Sequence, residues 1–319
     1  MAEINLLNIK PNKISRNLTD YVWGIYGEPG IGKTTLASKF DPDKTLIVAF
    51  EKGYLALSGV IAVDVTNWKD FKTVIKQLKE PEVKEKFKFI FVDTADIAYQ
   101  ECERYICRNA GVEKIGDIPY GAGYKQTDDE FFGALKTIIN EGYGLGWISH
   151  SNLKNVKYEG SEEYQKVTTT LPDRAKKILF GISDIVLYGK IVRDETGEEE
   201  KRIAYVRSNS KHEAKSRFKY MKESFDWDFE ELVKAFNEAI DLEEKNGGQT
   251  VAKYDKPRYE LNEEDELFEL ISQIKDLVRS KRDAGIDTKI IKEALENTNP
   301  DKLTDIESAK RILSALKQL

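Results

Sequence analysis

Residues 27–34 read Gly27-Glu28-Pro29-Gly30-Ile31-Gly32-Lys33-Thr34, and this octapeptide satisfies every fixed position of GxxxxGK[ST]. It follows the apolar run YVWGIYG (21–27) and opens a helical pattern over Lys33–Phe40, the strand-loop-helix setting in which that motif holds a nucleoside triphosphate. Glycines let backbone N–H groups converge on phosphate oxygens with no Cβ in the way, and the start of the following helix adds its positive end. In this reading Gly27 to Thr35 cradle the phosphates. Lys33 reaches the β- and γ-phosphates, and the Thr34 hydroxyl sits on Mg²⁺. The motif identifies a superfamily and leaves the reaction open.

On either side of this loop, short β-rich runs alternate with helical patterns. The strand candidates are 21–27, TLIVAF (45–50), KFIFVD (88–93), LGWISH (145–150), SDIVLYGKIV (183–192) and RIAYVRS (202–208). Several are continuously apolar, as strands covered on both faces are. Helical patterns over Lys33–Phe40, Trp68–Leu78, Ile97–Arg108, Asp128–Ile139 and Pro172–Phe180 separate most of them. The alternation predicts an α/β fold, a mainly parallel sheet flanked by helices. The polar turn RDETGEEEK (193–201) joins the last two strands into an antiparallel edge hairpin.

Two strands end in acids. Asp93 closes Phe89-Ile90-Phe91-Val92 and reads as the carboxylate that holds Mg²⁺ through water, against the plainer reading of a strand-terminal Asp in a turn. Glu51 ends the run 46–50. Ligands of open α/β sheets sit at the carboxyl ends of strands, so Glu51 is placed to orient an attacking water or accept its proton. Its plainer reading is an exposed charge.

The 319 residues carry a net charge of −6, with 40% hydrophobic and 33% charged residues. That composition supports a packed core and argues against wholesale disorder. It also argues against a globally basic protein that coats nucleic acid by charge alone. No apolar run approaches a bilayer span, and the N-terminus lacks the apolar core of a signal peptide, so no membrane partner and a cytoplasmic location are expected. Two cysteines, Cys102 and Cys107, and two histidines, His150 and His212, make neither a disulfide scaffold nor a His-rich metal site; buried, inert thiols are the expectation.

The order of phosphate loop, strand ending in Glu51, strand ending in Asp93 and strand ending in Ser149-His150 resembles the RecA-like recombinase ATPase core. Within that group it is most similar to the compact phage ATPases linked to single-strand annealing and recombination. The matching pieces are GEPGIGKTT (27–35), IVAFEKG (47–53), FIFVDTAD (89–96), GWISHS (146–151) and AKSRF (214–218). The resemblance covers about residues 15–222. It implies that Glu51 is the general base and Asp93 the Mg²⁺-linked acid. His150 takes the place of the polar residue that senses the γ-phosphate and passes its state to the next loop. Bacterial recombinases usually have an amide there, and Ser149 is a possible substitute donor. Lys215 and Arg217 match a late Lys-x-Arg pair that reaches the neighbouring subunit's nucleotide and stabilises charge on the transferring phosphoryl group.

Three segments are candidates for contact with DNA. SNLKNVKYEGSEEYQKVTTT (151–170) occupies the position of a DNA-contacting loop in the resembled family; its other reading is a surface hairpin. IPYGAGYKQ (118–126) offers Tyr120 and Tyr124 beside Lys125, aromatic faces with a cation that suit unstacked bases. Its other reading is a Gly-rich turn with packed tyrosines. Residues 201–222 hold eight Lys and Arg against Glu213 alone, serving either the inter-subunit role, with Arg207 a possible contributor, or binding of DNA phosphate.

Three domains are expected: an ATPase core (1–225), an acidic connector and linker (226–261) and a small helical module (262–319). Residues 226–319 carry a net −8 and residues 1–225 a net +2. The module is expected to start on an Asn262 cap, with Asp287 capping a second helix and Thr304 and Glu307 boxing a third. The expected protein hydrolyses ATP with Mg²⁺, binds single-stranded DNA and promotes annealing or strand pairing as a ring or filament. A single-strand-binding protein or another replication or recombination protein is the further partner in view. A helicase loader, a nucleotide-gated assembly factor and a small-molecule kinase are the alternatives.

Overall fold

The computed structural model describes residues 11–157, 163–193 and 200–250 and, in the C-terminal part, 267, 270, 271, 274, 275, 277, 278, 281, 282, 286–296, 298–300, 303 and 305–317. In chain order its elements are β1 (Val22–Gly27), α1 (Lys33–Ala37), β2 (Thr45–Ala49), β3 (Ala62–Asp64), α2 (Trp68–Gln77), α3 (Pro81–Lys86), β4 (Phe89–Asp93), α4 (Ala95–Ala110), α5 (Ala122–Asn140), β5 (Gly144–Val156), β6 (Tyr164–Thr169), α6 (Asp173–Ile182), β7 (Ile185–Arg193), β8 (Glu200–Tyr205), β9 (Lys215–Ser216), β10 (Ser224–Asp226), α7 (Phe229–Lys245), α8 (Thr288–Ala294) and α9 (Ile306–Lys317).

β1, β2 and β4 are buried along their whole length, which continuous apolar sequence permits and alternating sequence does not. The sheet runs β10-β8-β7-β1-β5-β4-β2-β3. From β7 to β3 every pair is parallel. The edge is antiparallel, β7 with β8 and β8 with β10. The fold is the α/β one expected, a mainly parallel sheet flanked by helices, with the edge hairpin in place; the turn at 194–199 lies outside the described residues.

Side chains alternate across the sheet, as strand geometry requires. In β4, Ile90 and Val92 join α2, α4, α5 and α6 on one face. Phe89 and Phe91 join α1, Phe40 and α7 on the other. α7 corrects the expected domain map. Residues 226–261 carry the acids of a connector, yet Leu232, Ala235, Phe236, Ala239 and Ile240 form a buried stripe of α7 in the core. Those positions recur at helical spacing, and the acids take the other face. Asp228 caps the helix by accepting from Glu230 N at 2.7 Å. The chain remains tied to this body as far as Gln249, whose carbonyl accepts from Ile14 N at 2.8 Å.

The chain forms two compact units, Met1–Tyr254 and Asp255–Leu319. The second has its own core of Leu270, Ile274, Ile291, Ala309, Ile312 and Leu316 among others. Asp287 caps α8, accepting from Lys289 N. Asn262 and Thr304 lie outside the described residues. Before α9 it is Asp305 whose carboxylate accepts from Ser308 N at 2.8 Å. Among the described residues no helix is long and apolar enough to cross a membrane.

Candidate active site

Because β1, β2, β4 and β5 are parallel, their carboxyl ends share one edge. Gly27 lies in register with His150, and Asp93 with Ala49 and Ile148. The chain turns back over this edge at Gly30 (φ 81°) and Gly32 (φ 95°), left-handed conformations that strain any residue with a Cβ. Ile31, fully buried, anchors the loop. Glu28 is half-buried, and Pro29, Gly30 and Thr35 are exposed. Lys33 Nζ donates to Gly27 O and Glu28 O, both at 3.1 Å. The ammonium is thus held by its own loop. Burial lowers its pKa, opposed by Asp93, Glu51 and Asp96.

Thr34 Oγ1 donates to Asp93 Oδ2 at 2.7 Å, the pair expected to share Mg²⁺. Burial pushes the Asp93 carboxyl up to about 6; the Thr34 hydrogen bond opposes this, and the Glu51 charge adds to it. A Cβ on Gly53 would stand 3.4 Å from Thr34 Oγ1 and 4.0 Å from Asp93 Oδ2, so Gly53 keeps the space in front of this pair open. A buried carboxylate, a hydroxyl and a cleared space suit a magnesium ion, which takes one or two protein oxygens and fills its shell from phosphates and water. Among the described residues no cluster of three or more His, Cys, Asp or Glu is arranged to hold a metal without such help.

Phe50 N and Glu51 N donate to Asp93 O at 2.7 and 3.1 Å, which fixes the end of β2 against that of β4. Glu51 Oε2 then lies 3.2 Å from His150 Nε2. The structure therefore brings together Lys33, Thr34, Glu51, Asp93 and His150. Ser149 is directed elsewhere: its buried hydroxyl donates to Asp96 Oδ1 at 2.9 Å. Thr170 Oγ1 donates to the same oxygen at 2.6 Å and Thr170 N to His150 O at 3.0 Å. Asp96 thus ties helix α4 to the root of the β5–β6 hairpin.

Lys215 and Arg217 do not join this cluster within one chain. β9 pairs with Ile185 and Val186, the neighbours of Trp23 and Gly24, at the far end of β1 from the loop. Lys215 Nζ donates to Phe180 O; Arg217 donates to Gly181 O at 3.0 Å and Asp184 Oδ1 at 2.9 Å. Both cations serve the carbonyl end of α6, where positive charge is favoured. Arg207 donates to the carbonyls of Ser216, Phe218 and Lys219.

Residues 151–156 and 164–169 pair as an antiparallel hairpin. Tyr120 is fully exposed, and Tyr124 lies on the first turn of α5 with the Arg174 guanidinium 5.2 Å from its ring centre. Cys102 and Cys107 are buried free thiols, and burial raises both above the ordinary thiol range.

Sequence reading missed Gly53, Asp96 and Trp227. The Trp227 ring packs against Gly189, and its Nε1 is 3.8 Å from where a Gly32 Cβ would lie. For Asp96, the DTAD tetrapeptide held the signal; the other two act through space alone.

Residues 19–218 match a family model described as an AAA domain. The SPbeta prophage-derived uncharacterized protein YorG of Bacillus subtilis strain 168 is 29% identical over 291 residues, 88% of this chain and 86% of that protein. Among solved structures, the flagellar accessory protein FlaH from Methanocaldococcus jannaschii aligns with a TM-score of 0.35 and 11% identity over 59% of this chain and 77% of that one. With its phosphate loop, its strand-end acids and a family match spanning more than half of its length, the chain is a P-loop nucleotide-binding protein that belongs to the AAA domain family.

Proposed function

We propose that the protein is a Mg²⁺-dependent ATPase of DNA recombination, similar to the compact phage annealing ATPases, which binds single-stranded DNA and promotes annealing or strand pairing as a ring or filament. The observation that carries the catalytic part is the joint placement of the Thr34–Asp93 pair, 2.7 Å apart, and the Glu51–His150 pair, 3.2 Å apart, at the edge where the phosphate loop turns. The loop amides and Lys33 bind and orient the triphosphate. Glu51, half-exposed at the mouth, accepts the proton of the attacking water, and His150 holds that carboxylate in place. Magnesium bound with the nucleotide supplies positive charge to the phosphate oxygens. His150 lies on β5, the strand that runs on into the hairpin. A change at the nucleotide's end thereby has a direct route to a surface that takes DNA.

The DNA part is supported by the concentration of cations in 201–222 within an acidic chain and by the prophage origin of the relative. Lys215 and Arg217, held at the end of β1 remote from their own loop, are assigned to the nucleotide of a neighbouring subunit. A single-strand-binding or other replication protein is the proposed further partner, in the cytoplasm. The experiment is ATP turnover titrated with single-stranded DNA, read beside particle size. Turnover rising with DNA together with growth of the particle is the expected result. DNA-independent turnover by a monomer contradicts the recombination reading and favours a loader or assembly factor. Phosphate transfer to a small acceptor makes the protein a kinase.

A further inference from the structure

A cavity of about 400 Å³ opens beside α6, with Lys166 of β6 on one wall, Lys176 and Lys177 along the helix, and Lys215 at its far end. Its two acids are already engaged. Asp173 accepts from Lys154 Nζ at 3.0 Å through both oxygens, and Glu213 accepts from Lys176 Nζ at 3.1 Å and from the Thr168 hydroxyl. Lys166 and Lys177 have no ion-pair partner among the described residues, and Lys215 is held by neutral carbonyls alone. Lys154 and Lys166 also stand directly opposite each other across the β5–β6 ladder, where like charges destabilise. Asp173 offsets one of the two. The other faces a groove whose floor is Phe180 and Ala214.

We infer that this groove is a track for the phosphate backbone of single-stranded nucleic acid, with Lys166 and Lys177 as its cations. The inference rests on the DNA-binding reading above and locates it. Lys166 stands on β6 and Lys177 on α6, a helix of ten residues and about 15 Å, so the cations that line the groove come from two elements. A positive groove with an apolar floor is the arrangement that follows a single strand without reading its sequence. One wall is the hairpin rooted at His150 and Thr170, so the track adjoins the strand that leaves the nucleotide site.

The test is anisotropy of a labelled oligothymidylate titrated with salt. The wild-type chain is expected to bind. Lys166→Ala/Lys177→Ala should weaken binding at low salt at least tenfold and reduce the slope of log K against log salt by about 1.4, at about 0.7 per phosphate contact on a single strand. Lys166→Arg/Lys177→Arg should restore both, and Lys79→Ala/Lys136→Ala, outside the groove lining, should change neither. Thermal unfolding checks the fold; should the double alanine variant not fold, Lys177→Ala, at an exposed position, is expected to show half of the slope change. Wild-type binding with an unaltered slope in the variants overturns the groove and leaves the DNA reading standing. No oligothymidylate binding by the wild type overturns both. Lysine-dependent binding of inorganic tripolyphosphate without oligothymidylate binding makes the groove a small-anion site and overturns the track.

Discussion

Asp93 costs the ligand-free protein stability. Its carboxyl is raised from 3.8 to about 6, by burial first and by Glu51 as well, and each unit corresponds to about 1.4 kcal/mol. A carboxyl whose folded pKa lies above its unfolded one destabilises the fold at high pH. That cost is relieved as pH falls through about 6 toward 4. Asp93→Asn should therefore raise the apo melting temperature at pH 7 by a few degrees, a gain of the order of 2 kcal/mol, while removing the effect of Mg²⁺ on nucleotide binding. Thermal unfolding without nucleotide checks the first part, and a fall in Tm contradicts it. Thr34 was legible from the phosphate-loop motif; Glu51, Asp93 and His150 were legible because each closes an apolar run, and parallel strands deliver their ends to one edge. Gly53 was not legible, since its contribution is the space its missing Cβ leaves before Thr34 and Asp93.

Among the elements, α7 departs furthest from what its sequence suggests. Its acids dominate composition, whereas Phe236 is fully buried against Trp23, Tyr21 and Phe218. Phe236→Ala should cost about 3–5 kcal/mol, read as a lowered denaturation midpoint in urea. A change under 1 kcal/mol would return α7 to the role of a connector. The long core strands were readable, because apolar runs of five or six residues bounded by turns admit few alternatives; the two- and three-residue strands β3, β9 and β10 carry no such run and were missed. Helix starts were less so. α5 begins at Ala122 after Gly121 in a left-handed conformation, ahead of the first clear apolar repeat at Asp128. The segment 151–170 read as a DNA-contacting loop or as a surface hairpin, and the structure pairs 151–156 with 164–169 as strands.

In the whole molecule, the first compact unit ends at Tyr254, and every group of the nucleotide edge lies within it. Removing residues 255–319 should leave nucleotide affinity within about twofold of the full chain, measured with a fluorescent nucleotide. A larger loss would assign the C-terminal unit to the site. The order β7-β1-β5-β4-β2 places the phosphate-loop strand between two partners that follow it much later in sequence. The sequence's alternating pattern implied a parallel sheet, but strand order is a property of long-range pairing that no local spacing encodes. With Glu51 as the base at this edge, single-turnover ATP hydrolysis by Glu51→Gln should fall at least a hundredfold, in the range of general-base loss, while ATP affinity is retained. Hydrolysis at the wild-type rate would mean that Glu51 is not the base.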